Sequence, residues 1–222
     1  NYGGTSLPQI IRIDDFNNPN PKKIVDGISN GITAISIDRT NNYIYYTTAW
    51  SQTLYRKKLD LTGTEDSFDI GFETYGMCAD QNGYIFLGQA YGAAVKYDPS
   101  SSRVVETYTG FLSNPWDVLV KGNYLFVLDK SSSEGNYPIT RFLINDPTSY
   151  VGYGAFSPGT NQGDFYGPNL FVAILNKKFY ITDGDGWSLA KLVSMDDITG
   201  SGWKTYGSWG TGQNEFEFFS SC

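Results

Sequence analysis

The sequence predicts an all-β fold: a β-propeller of four-stranded antiparallel blades, with about four complete blades in view and five or six when closed. Two observations predict it, an internal repeat near forty residues and a composition weighted toward aromatic residues and glycine. Of 222 residues, 17 are Tyr, 14 are Phe and 25 are Gly. Aromatic side chains fit a pleated, half-buried surface, and Gly with Asn supplies the turns that many short strands need. The 40% hydrophobic content provides a core for one undivided domain over residues 1–222.

Four segments share one pattern: an apolar strand, a short polar turn, then a strand that opens on an aromatic or basic residue. Residues 32–38 lead into 43–47, residues 75–80 into 84–88, residues 116–120 into 124–129, and residues 170–175 into 178–183. From Tyr43 to Tyr84 to Tyr124 to Lys178 the steps are 41, 40 and 54 residues, and the first two are the length of one blade. Polar residues 131–136 and the Gly-rich stretch 152–167 absorb the longer step. A third alternating strand follows in each unit (52–56, 93–97, 139–144, 189–193), and a weaker fourth after it. The expected blades cover approximately 32–70, 75–109, 115–155 and 168–209. Residues 8–27 read as the outer strands of a shared closing blade, so the chain is expected to be truncated, with its closing strands missing or supplied near 214–222. It opens on Asn, so an N-terminal segment is expected to have been removed.

The segments Gly110-Phe-Leu-Ser-Asn-Pro115 with Asp129, and Gly163-Asp-Phe-Tyr-Gly-Pro168 with Asp183, resemble the NHL-repeat family. That family's repeat carries a Gly-rich outer strand, a Phe before a Pro, and an apolar strand ending in Asp. A further copy begins at Tyr206 and runs to Phe216, whereas the first two units match by strand pattern alone. The resemblance implies a propeller, and such proteins are often binding scaffolds.

Composition excludes several chemistries. The formal charge is −7, which lacks the basic footprint that phosphate backbones require, so nucleic acid is not an expected partner. There is no histidine, which removes imidazole-dependent nucleophilic catalysis and imidazole metal ligands. Cys78 reads as a small buried hydrophobe, and Cys222 is the last residue. No apolar run is long enough for a transmembrane helix. The composition, rich in Tyr, Asn, Ser and Gly, resembles that of a secreted or bacterial cell-envelope protein.

In a propeller, the loops from strand four to the next blade share a face with those from strand two to strand three. That face is expected to collect Thr33, Tyr75, Trp116 and Asn169 from the first kind of loop, and Trp50, Gln89, Tyr91, Asp129, Lys130, Asp183, Asp185 and Trp187 from the second. Flat rings beside Asp and Asn suit a protein, peptide or carbohydrate. The competing reading makes Trp116 and Trp187 blade-packing residues. In Asp183-Gly-Asp-Gly186, Asp183 and Asp185 offer a spacing that can hold Ca²⁺ through oxygen, but the loop is not completed and Asp-Gly is also an ordinary turn. No other cofactor is expected.

The expected function is therefore non-enzymatic binding. One alternative is a metal-dependent hydrolase similar to the gluconolactonases, whose activity is built on Glu, Asn and Asp around a channel Ca²⁺ or Zn²⁺. Asp117 is the only good candidate for such a site. Another is a structural subunit of a cell-surface assembly.

Overall fold

The computed structural model describes residues 9–14, 17, 20–25, 28, 30–60, 62–130, 136–157, 161–175, 178–184, 190–209 and 215–216. Their regular elements are all strands. In chain order these are β1 (Ile10–Arg12), β2 (Lys22–Val25), β3 (Ile32–Asp38), β4 (Tyr43–Thr48), β5 (Thr53–Lys58), β6 (Asp66–Asp69), β7 (Thr74–Ala79), β8 (Ile85–Gln89), β9 (Ala94–Asp98), β10 (Arg103–Tyr108) and β11 (Pro115–Lys121). Then follow β12 (Tyr124–Asp129), β13 (Ile139–Leu143), β14 (Asp146–Tyr153), β15 (Ala155–Phe156), β16 (Asp164–Phe165), β17 (Pro168–Leu175), β18 (Lys178–Gly184), β19 (Ala190–Met195), β20 (Lys204–Tyr206), β21 (Ser208–Trp209) and β22 (Glu215–Phe216).

Four antiparallel meanders result: β3–β6, β7–β10, β11–β14 and β17–β20, called blades 1 to 4. The core lies between successive blades. Tyr45 and Leu54 of blade 1 meet Ile85 and Leu87 of blade 2, and Phe86 and Tyr108 meet Leu125 and Val127 of blade 3. Phe126 and Leu128 then meet Phe179 and Ile181 of blade 4. The second strand of each blade is thus buried on both faces, which is why it reads as an apolar run and not as an alternation.

The inner strands are tied by hydrogen bonds as well. Ser36 Oγ accepts from Ala79 N at 2.9 Å, Cys78 Sγ from Val120 N at 3.4 Å, and Asp117 Oδ2 from Phe171 N at 2.8 Å. Cys78 is a free thiol, its pKa raised by burial, and it occupies the position of Ser36 one blade on. Its role here is structural. Cys222 lies outside the described residues.

The strand 3–4 turns carry a repeat that the sequence reading missed. Asp60, Asp98, Asp146 and Asp197 each accept the hydroxyl of a Thr or Ser two residues on, always at 2.6 Å. This D-x-T/S turn fixes the chain by a local side-chain bond.

Two short parallel pairs lie outside the blades, β15–β16 before blade 4 and β21–β22 after it. Tyr153-Gly-Ala-Phe156 and Tyr206-Gly-Ser-Trp209 lead into them alike, with Gly154 and Gly207 at φ +88° and +76°. The further copy noted from Tyr206 to Phe216 therefore repeats a structural unit. On the other side, the β1–β2 pair packs through Ile10, Ile24 and Val25 on Ile44 and Tyr46 of blade 1. Ile32 of β3 and Tyr55 of β5 pack against the same cluster. Ile35 and Ile37 on the inner strand stay 46% exposed, whereas Met77, Val118 and Phe171, which stand where Ile35 does, are buried.

Candidate partner-binding face

Each inner strand opens on a β-bulge at the same place. The register with the second strand skips one residue between Ile32 and Ala34, Thr74 and Gly76, Pro115 and Asp117, and Pro168 and Leu170. The skipped residues are Thr33, Tyr75, Trp116 and Asn169. A bulge re-aims its side chain, so Thr33, Tyr75 and Trp116 are turned out of the ladder, and β17 skips a second residue between Phe171 and Ala173.

Next to the bulges, the two sets of loops are joined backbone to backbone. Ala49 N donates to Gly31 O (2.7 Å), Ala90 N to Glu73 O (2.9 Å), Lys130 N to Asn114 O (3.1 Å) and Gly184 N to Gly167 O (3.3 Å). The same bond recurs in all four blades, and it sets both kinds of loop on one face.

On that face the rings form a ladder. Tyr75 and Trp116 stack with centroids 4.4 Å apart and planes 16° from parallel. Lys130 Nζ lies 4.0 Å from the Trp116 ring centroid, a cation–π contact. Burial lowers the Lys130 pKa. Burial chiefly, then the Glu73 carboxylate and the Tyr91 hydroxyl, raises the Tyr75 phenol. Lys130 was expected on this face from its place after the second strand; Glu73 was not singled out from the sequence, because it sits in no recognisable motif.

Trp50 and Tyr91 stand at the rim, each one residue beyond the joining bond of its blade. They are 83% and 82% exposed, at φ +62° and +65°. Left-handed backbone is costly for a side chain of this kind, and nothing in the blade repays it by burial. Farther out, Phe111 makes edge contacts with Tyr137 and Tyr150, both at 4.9 Å.

The carboxylates behave differently from the rings. Asp129 was expected on the surface but is fully buried. It accepts from the backbone N–H of Ser113 (2.6 Å) and Asn114 (3.1 Å), just before Pro115. Asp183 does the same one blade on: its carboxylate accepts from Tyr166 N (3.0 Å) and Gly167 N (2.8 Å) and lies 3.3 Å from Lys191 Nζ. Burial still raises the Asp183 pKa. Both Asp residues pin the loop that leads into their blade's inner strand, and this explains the pairing of Pro with a distant Asp in the sequence. Leu112, three residues before Pro115, takes the buried place of Phe165, and Phe111 is left at the surface. Asp185 and Trp187 lie outside the described residues. Asp117, the candidate channel carboxylate, is buried, accepts from Val118 N as well as Phe171 N, and is pushed up to about 7 by burial. Among the described residues, no three His, Cys, Asp or Glu side chains converge on one point.

Grooves between blades carry the strand 1–2 turns. One of about 400 Å³ is lined by Asp80, Asn82, Lys96 and Asn123, and another of about 330 Å³ by Asn41, Arg56 and Tyr84. Their rings are already covered by the chain's own cations: Arg56 lies over Tyr43 (4.5 Å) and Lys96 over Tyr84 (3.9 Å).

No family model and no curated protein matches the chain. Solved structures do. It is similar to a chain of a nidogen/laminin complex, with TM-score 0.68 and 17% identity over 89% of this chain and 71% of that one. It is also similar to the hydrazine synthase of Kuenenia stuttgartiensis, with TM-score 0.59 and 10% identity over 89% and 59%. A third likeness is to the WD40 domain of Neurospora crassa Pan2, with TM-score 0.51 and 10% identity over 78% and 52%. WD40 domains are propellers of four-stranded blades. The chain folds as a β-propeller. Identities this low bear on fold alone, and the narrower likeness to NHL repeats stays a resemblance in sequence. No helix among the described residues is long and apolar enough to cross a membrane.

Proposed function

We propose that this propeller is a non-catalytic binding scaffold, working without a cofactor, whose aromatic face docks a protein or peptide partner. The observation that carries this reading is the pair Trp50 and Tyr91. Two successive blades hold a large ring at the same loop position, in a backbone conformation that disfavours it and with most of its surface in water. An exposed aromatic anchor of that kind is a feature of interfaces and adds nothing to blade packing. The Tyr75–Trp116 stack and Lys130 give the rim a firm floor. The buried carboxylates nearby support a non-catalytic role, since Asp117, Asp129 and Asp183 all accept backbone N–H groups. That a similar frame occurs within a nidogen/laminin complex is in keeping with a protein partner. We place the protein outside the cell or in a bacterial envelope, on its composition.

The test is a peptide and glycan array probed with the wild type and with the Trp50→Ala/Tyr91→Ala variant. Ligands held by the wild type should be lost from the variant, with Tm unchanged or slightly higher, because the substituted rings are mostly in water. Retention of every ligand by the variant would overturn the reading.

A further inference from the structure

Several partly exposed rings among the described residues are met by cations of the same chain. The strand-three residues Arg56, Lys96 and Arg141 cover Tyr43, Tyr84 and Tyr124 at 4.5, 3.9 and 4.7 Å, and Lys130 covers Trp116. Tyr75 departs from this pattern. One of its faces lies on Trp116, and among the described residues no ring or cation lies on the other. The next bulge residue in that direction is Thr33, too small to fill a ring's place. The ladder runs Lys130, Trp116, Tyr75 and then stops at an open end. Beside that end, Ala90 N donates to Glu73 O at 2.9 Å, which brings the segment before Tyr75 against the segment that carries Tyr91.

We propose that the open end of the Lys130–Trp116–Tyr75 ladder takes an arginine or lysine side chain from a basic segment of the partner. The proposal rests on the binding-face reading above and narrows it. A guanidinium stacks on a ring and pairs with a carboxylate at the same time, and Tyr75 with Glu73 offers both. The chain carries 23 acidic and 16 basic residues, so its field also draws a basic partner toward it. A neutral sugar would gain the stacking and none of the charge attraction.

The experiment titrates fluorescein-labelled hexa-arginine, hexa-glutamate and unlabelled cellohexaose against the folded chain at low ionic strength. Hexa-arginine should bind and hexa-glutamate should not, with affinity falling as salt rises. Glu73→Gln combined with Tyr91→Ala should weaken hexa-arginine about tenfold. Glu106→Gln, which removes an equal charge on β10, should stay within about twofold. Equal losses in the Glu73→Gln/Tyr91→Ala variant and in Glu106→Gln would mean that net charge alone attracts the peptide, and would overturn the proposal. Cellohexaose binding abolished by Trp50→Ala/Tyr91→Ala, with hexa-arginine unaffected, would overturn the basic partner and leave the binding face standing. Indifference of both ligands to every variant would remove both.

Discussion

At the scale of single residues, the acids of this chain divide by what their oxygens accept. Asp117 is buried between blades 3 and 4 and held near pKa 7 by desolvation, against the pull of its two backbone N–H donors. Its folded pKa lies above the unfolded value near 3.8, so its contribution to stability is complete below that value and is lost as pH rises through about 7. Asp98 acts in the opposite sense. Hydrogen bonds from Ser100 and Ser101 lower it to about 2, so its contribution is present above 3.8 and lost as pH falls through about 2. From these two groups Tm should therefore peak at about pH 4 and decline toward about pH 7. Thermal scans of Asp117→Asn should show a flatter alkaline limb than wild type; an unchanged limb would place the titrating group elsewhere. None of this was legible in the sequence. An Asp at a strand end looks the same whether it faces water, as in the expectation for Asp129, or caps two backbone N–H groups, as Asp129 and Asp183 do.

At the scale of elements, the second strands were the most legible part, because burial on both faces makes them continuous apolar runs. Blade geometry grouped Thr33, Tyr75, Trp116 and Asn169 on one face, but their bulges were not legible, since the four share no residue type and only the skipped register marks them. The D-x-T/S turns were visible in principle, at Asp60, Asp98, Asp146 and Asp197, but steps of 38, 48 and 51 residues hid the period. Gly76 shows how tightly inner strands approach: a Cβ there would sit 2.5 Å from Asp117 Oδ1 and 2.6 Å from the Trp116 carbonyl oxygen. Backbone cannot yield as a flexible side chain can. Gly76→Ala should cost about 3 kcal/mol or more. Gly31→Ala, in the loop before β3 with nothing within 4 Å of a new Cβ, should change stability by less than about 0.5 kcal/mol. Denaturant titration of both variants measures the contrast, and equal costs would mean that blades 2 and 3 are not in this register.

At the scale of the whole molecule, four blades repeat one joining bond, and that bond puts the loops after the second and fourth strands on one side. The sequence reading placed Tyr75, Trp116, Trp50 and Tyr91 there from blade geometry, and the structure adds what joins them: the stack, the Lys130 cap, and the rim rings at matched left-handed positions. The opposite side carries turns held by their own Asp residues, such as Asp38 to Thr40 and Asn41, and grooves whose rings are already covered. The two sides therefore make different predictions about where a partner lands. The most direct measurement is hydrogen–deuterium exchange of the protein alone and with each ligand that the array retains. Protection is expected in residues 48–52, 70–75, 89–93 and 114–117; protection confined to the turns at 38–43, 80–84 and 121–124 would contradict the account.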